Sequence, residues 1–331
     1  MTDGLFAAAE QVVSAAGTAP APAREAPSGR QVELVWGDQR LTVVEVGGGL
    51  RTYDVGGRAV LDGYPPDSLS TGSRGQLLVP WPNRIAGGRY TLDGTTMQLA
   101  LTEAVKRNAI HGLTRWVAWE FDQPAAHQVR GQYLLRPQPG YPFALRCEVE
   151  YGLGDDGLTV TMAVTNRSAR PAPVGLGAHP YLLVGGGRID AAELAVPART
   201  WLEVDDRSIP TGSAPVAGTG YDFRTPRTVG EQVLDTAYTD LIRDSDGKAR
   251  VKLATSDGWH LTLWCDENWP YLQLFSGETL PTPERRRSIA VEPMTCAPNA
   301  FNTGAGLQLL EPDQALSGTW GIQAGAPIPP Q

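Results

Sequence analysis

Short β-branched and apolar runs, broken every ten residues or so by glycine, proline or Asp-Gly, restrict this chain's fold more than any other feature. Val32–Trp36 and Leu41–Val46, joined through Gly37-Asp38, predict a β-hairpin. Runs follow at Trp116–Phe121, Gln128–Pro137, Leu145–Leu153 and Leu158–Thr165, then at Arg250–Thr255, His260–Trp264, Tyr271–Ser276 and Gly318–Ile322. The first four of these are joined by linkers too short for crossover helices, which predicts an antiparallel meander rather than parallel pairing. With 38 glycines and 27 prolines in 331 residues and little helical periodicity, an all-β architecture with many turns is expected. Between His179 and Gly230 the chain reads as Pro- and Gly-rich loops.

Residues 1–30, rich in Ala, Pro and Ser, read as a flexible leader that admits a short helix over Gly4–Ala16. An acidic Asp3 and no basic start make them a poor secretory signal. Residues 326–331 form a Pro-rich tail. Three scattered cysteines, Cys147, Cys265 and Cys296, suggest neither a disulfide framework nor a zinc site, and no stretch has the apolar length of a membrane span. A cytoplasmic protein is therefore expected. The net charge of −8 argues against nucleic acid or an anionic membrane surface as partner. Monomer and homodimer are both compatible with the composition.

Four segments carry chemistry. In Val174-Gly-Leu-Gly-Ala-His-Pro-Tyr181, a histidine lies between a Gly-rich run and a proline that biases it toward extended backbone. A lone histidine in such a place is more often a core or turn residue bonded to a carbonyl. It also titrates near neutrality, as an acid-base group must. Pro80-Trp-Pro-Asn-Arg84 is stiff and offers an aromatic face beside Asn83 and a planar five-donor guanidinium, a pairing suited to a sugar ring and its hydroxyls. Asn108-Ala-Ile-His-Gly112 supplies a second histidine, His111. In Ser288–Asn302, Glu292 ends an apolar run before a proline, where loss of solvent would raise a carboxyl toward the strength of a useful base; a salt bridge to one of Arg285–Arg287 is the bland reading. His127 and His260 have no supporting context and read as surface residues.

Together and in this order, Pro82-Asn-Arg84, Asn108–Gly112, Gly177–Tyr181 and Val291-Glu-Pro293 with Pro298-Asn-Ala-Phe-Asn302 resemble the aldose 1-epimerase (mutarotase) family. The resemblance covers roughly residues 31–325, as one domain. It implies a large antiparallel β-sandwich with a monosaccharide lying across a groove, and interconversion of sugar anomers without a cofactor or metal. By resemblance Glu292 is the base, His179 the acid, and His111 bonds the same region of the ring. Arg84 and Asp235 would hold other hydroxyls, with Asn83 and Gln273 assisting. A threonine follows Asp235 where some relatives have His-Pro, which leaves Asp240 as an alternative. Two rival readings are a hexose-6-phosphate epimerase, for which Arg285-Arg-Arg287 could hold the dianion, and a carbohydrate-binding β-sandwich without chemistry that uses Trp81 as its platform. A glycoside hydrolase would need a second carboxylate as convincing as Glu292.

Overall fold

The computed structural model describes residues 25–325 apart from 184, 186 and 256. Residues 1–24, including the helix expected over Gly4–Ala16, and the tail 326–331 lie outside the described residues. Ser28 is buried, and the backbone N–H of Arg30 donates to the Glu45 carboxylate.

The chain is all-β, and every pairing between its strands is antiparallel. A nine-stranded sheet runs in the order 120–125, 128–135, 145–154, 157–166, 315–325, 260–265, 249–254, 193–195, 227–228. Its first four strands are the expected meander. The path of an eight-stranded sheet runs 210–215, 198–204, 235–241, 271–275, 288–294, 177–178, 77–78, with 181–183 also on 288–294. The hairpin 31–36/39–44 belongs to a four-stranded sheet at the N-terminal end.

Alternation drives this arrangement. In Gly157–Asn166, Leu158, Val160, Met162 and Val164 turn inward while Thr159 and Thr161 are exposed. Cys147, Val149 and Tyr151 do the same in the neighbouring strand. These side chains join Leu272, Leu274, Ile289 and Val291 of the eight-stranded sheet in one buried cluster, so two sheets close on a common core as a sandwich. Each such aliphatic side chain contributes roughly 1.5–3 kcal/mol by leaving water.

The strand Ser288–Met294 is buried at every position. Ile289 and Val291 enter the main core, whereas Ala290 packs with Tyr181 and Leu280 on the opposite face. Glu292 shares that second face, because side chains alternate along a strand.

Three expectations need correction. The strand expected at Trp116–Phe121 begins only at Glu120; Trp116 is half-exposed and Trp119 is buried. The segment after His179 is not all loop, since Ala198–Val204 and Pro210–Pro215 form a hairpin at the sheet's edge. Pro-Thr-Gly-Ser-Ala-Pro has no apolar period because its side chains are largely exposed. Trp81 is no platform: it is buried and packs edge-on against Phe301, 5.6 Å between centroids, and against Tyr141.

Candidate active site

A cavity of about 460 Å³ opens on the outer face of the eight-stranded sheet. Adjacent strands build its floor. Gln273 stands directly opposite Glu292 in register, and Asp235, at the head of its strand, lies one diagonal away on the same face, where Gln273 donates to it at 2.7 Å. Asp240 points elsewhere, bonded to Thr200, and does not line the cavity. Arg84, Asn83, His111, His179, Asp235, Gln273 and Glu292 all do. All seven residues proposed from the sequence therefore share one cavity.

The two histidines arrive by different devices. His179 follows the short strand Gly177-Ala178, and its ring stacks on Tyr181 with centroids 5.0 Å apart and planes 13° from parallel. Close approach at Gly177 is of protein rather than ligand: a Cβ there would lie 2.6 Å from Pro82. His111 ends the strand Asn108–Ile110 with φ +61°, and its backbone N–H donates to the Asn83 carbonyl. Asn83 is itself left-handed, and its backbone N–H donates to Nδ1 of His111 at 3.2 Å. That bond places the proton of a neutral His111 ring on Nε2. The next residue, Gly112, has φ +69°, and a Cβ on it would lie 2.2 Å from the Val79 carbonyl oxygen. Gly112→Ala is therefore expected to cost roughly 3 kcal/mol, read as a lowered urea midpoint.

The rings of His111 and His179 meet edge to face at 5.2 Å, and His179 Nε2 lies 3.3 Å from Glu292 Oε1. Glu292 Oε2 and His179 Nδ1 are buried without a hydrogen-bond partner among the described residues. The orphaned Glu292 oxygen, on a residue that lines the cavity, marks a place where a ligand hydroxyl completes the bonding. Burial first, and then Asp235, raises the Glu292 carboxyl well above its ordinary range, while Arg84 opposes the rise. Burial likewise depresses His179 to about 3, with Arg115 and Arg74 adding to the effect. His111 falls below its usual value by burial and by its neighbour His179.

One ligand atom from each of His111, His179 and Glu292 falls within a 4.8 Å cluster, a spacing a divalent cation could bridge. However, His111 already spends its acceptor Nδ1 on Asn83, so a neutral ring offers the cluster a donor rather than a ligand atom.

Three residues of the cavity escaped the sequence reading. Glu103 accepts from Arg84 Nε and Nη2 at 2.9–3.1 Å. Lys106 Nζ lies 3.9 Å from Asp235, as Arg84 Nη2 lies 3.7 Å from it. Arg115 has no carboxylate within salt-bridge distance among the described residues; it donates only to Ser73 Oγ and the Ile110 carbonyl, and its Nε is buried without a partner. Burial lowers it to about 10. None of the three gave a signal in the sequence; Arg115 sits between Thr114 and Trp116 in no recognisable motif. The Arg285–Arg287 run does not reach the cavity. Arg286 is committed to Asp190 and Glu278, and Arg287 to Asp62. Glu292 pairs with His179, not with an arginine of that run.

Similarity to known proteins converges on the same place. A family model described as aldose 1-epimerase matches residues 31–323. The chain is 35% identical over 288 residues to the uncharacterized protein YihR of Escherichia coli K12, which covers 86% of this chain and 90% of that one. It is 31% identical over 228 residues to the aldose 1-epimerase of the same organism, a match spanning 62% of this chain and 64% of the relative. For human galactose mutarotase the match is 33% over 161 residues, 46% of each chain. The chain thus spans less than two thirds of these last two. Among solved structures, the GalM/aldose epimerase homologue from C. elegans superposes with a TM-score of 0.80 at 18% identity, covering 90% of this chain and 99% of that one. A putative aldose 1-epimerase from E. coli K12 gives 0.79 at 20% identity, with the same coverage. These two likenesses are of fold alone. Because the family model takes in nearly all the described residues and a 35% identical relative matches along almost its whole length, this chain belongs to the aldose 1-epimerase family.

Proposed function

We propose that this protein interconverts the α and β anomers of a free hexose by opening and reclosing the sugar ring. The observation that carries the reading is the buried His179–Glu292 pair, 3.3 Å apart, with an orphaned Glu292 oxygen, in a cavity that Arg84, Asn83, Asp235 and Gln273 also line.

The reaction needs one proton removed from the C1 hydroxyl and one delivered to the ring oxygen. Glu292 takes the first and His179 gives the second from Nε2, as the C1–O5 bond breaks and C1 becomes a carbonyl. Rotation about C1–C2 then presents the other carbonyl face. In reclosure Glu292 returns its proton to O1, while the C5 hydroxyl attacks C1 and loses its proton to His179. The pair holds one proton throughout each half-reaction and only its location changes, so the two groups titrate as a unit. Burial penalises the charged form of each partner, so the free enzyme keeps the single proton on Glu292 beside a neutral His179. Its transfer across the pair to His179 Nε2 sets up the reacting state. His111, with its proton on Nε2, donates to the oxygen on which charge develops.

The pH profile follows from these directions. Depression of His179 means that the second, inactivating proton enters only as pH falls toward about 3. Elevation of Glu292 means that the single proton is lost only above the ordinary carboxylate range. The kcat profile is therefore expected to pass through pH 6.5, the ordinary histidine value, without an acid limb. Polarimetry from pH 4 to pH 9 measures it, and an acid limb centred near 6.5 would contradict the assignment.

On one wall, the charges cancel: Arg84 and Lys106 face Glu103 and Asp235. That balance suits neutral hydroxyls. Arg115, also in the lining, has no such counter-charge among the described residues and favours a second reading, a sugar bearing an anionic substituent. Exchange rates on galactose, glucose and glucose 6-phosphate separate the two readings. The first predicts acceleration on a neutral hexose; the second predicts a preference for the phosphate that Arg115→Met abolishes.

A further inference from the structure

Arg84 does not stand free in the cavity. Its Nε and Nη2 edge is taken up by Glu103, whose carboxylate also accepts from Asn108 Nδ2 at 3.0 Å. Among the described residues, Nη1 of Arg84 has no hydrogen-bond partner. Glu103 is in turn held by its backbone: it and Asn108 bond each other through N–H and carbonyl in both directions, closing the loop between them. Arg207, from the edge hairpin's turn, locks that loop by donating to the carbonyls of Lys106 and Arg107 and to Asn108 Oδ1, while its own carbonyl accepts from Asn108 Nδ2. Asn108 is wholly buried.

We propose that Glu103 is the positioning residue of the sugar site, fixing which edge of the Arg84 guanidinium faces the hydroxyls. The inference rests on the sugar-binding reading of this cavity. A bidentate acid leaves a guanidinium one rotational setting, so its remaining donors meet a ligand without first losing side-chain freedom. The same ion pair keeps Glu103 ionised: burial raises its carboxyl, but Arg84, Asn108 and Lys106 outweigh the burial and leave it below the ordinary range. Asp235, 3.7 Å from Arg84 Nη2, is too far for a good hydrogen bond. It becomes an acceptor beside a fixed donor, an arrangement that reads a hydroxyl from both sides.

The test is a double-mutant cycle on the full chain with Glu103→Gln, Arg84→Lys and the double variant, with kcat and KM for anomer exchange of galactose and glucose. Glu103→Gln is expected to raise KM about 10- to 100-fold and to change kcat by less than about 3-fold. Arg84→Lys should cost far less in the Glu103→Gln background than in wild type, because the fork it removes is no longer held. Glu103→Asp, which keeps the charge, should recover part of the affinity. An unchanged KM, or equal cost of Arg84→Lys in both backgrounds, overturns the positioning role. If Glu103→Gln unfolds, the cycle is run on Glu103→Ala, which also removes the fork's acceptor, and the same two outcomes decide. If the wild type accelerates no exchange, the catalytic reading fails by itself; the cycle is then read as sugar dissociation constants by calorimetry, with the same pattern expected and additivity again overturning it.

Discussion

Replacing Glu292 with glutamine is expected to lower kcat for anomer exchange by about 10²- to 10⁴-fold, with KM nearly unchanged. Glutamine matches the carboxyl in shape and fills the same buried position in Ser288–Met294, so the floor of the cavity survives. What disappears is the ability to hold and release a proton. The buried environment that raises Glu292 is what makes the carboxylate basic enough to take a hydroxyl proton near neutral pH. An exposed carboxylate in its place would be a weaker base, and an amide is none at all. Thermal unfolding alongside the kinetics separates loss of chemistry from loss of fold, and the expected result is loss of turnover with a Tm close to wild type.

His179→Ala is the second large effect, a similar 10²- to 10⁴-fold loss in kcat. It removes the donor to the ring oxygen and the nitrogen 3.3 Å from Glu292 Oε1. Since the two groups handle a single proton between them, their losses are not additive. The double variant with Glu292→Gln should be no more than a few-fold slower than the worse single one. Loss of the full product of the two effects would mean that they act in separate steps. Asp235→Asn serves as the contrast, because Asp235 touches hydroxyl-binding groups rather than the proton path; its effect should fall mainly on KM.

Much of this was legible in the sequence where side chains alternate or where backbone rules bind. Leu145–Leu153 and Leu158–Thr165 show the period of two that their burial confirms. Glu292 stood out because a carboxylate ending an apolar run must be buried or paired. Arg84, His111 and His179 stood out because each lies beside glycine, proline or asparagine that fixes its backbone. Pro210–Pro215 hid its strand because an edge strand with exposed side chains needs no apolar pattern. Trp81 misled because a tryptophan between two prolines is stiff whether it faces a ligand or the core, and Phe301 and Tyr141 settle which. Glu103 and Arg115 were illegible for a different reason. Their roles depend on a loop folding back over Arg84 and on the absence of a counter-charge among neighbours distant in sequence, and neither leaves a local trace.

The measurement that tests the central claim most directly is polarimetry of freshly dissolved α-D-galactose and α-D-glucose with wild type, Glu292→Gln and His179→Ala against the buffer rate. The account predicts faster relaxation to the anomeric equilibrium with wild type on at least one of these sugars, and a return to the buffer rate with either variant. Relaxation that stays fast without Glu292 or without His179 would contradict it.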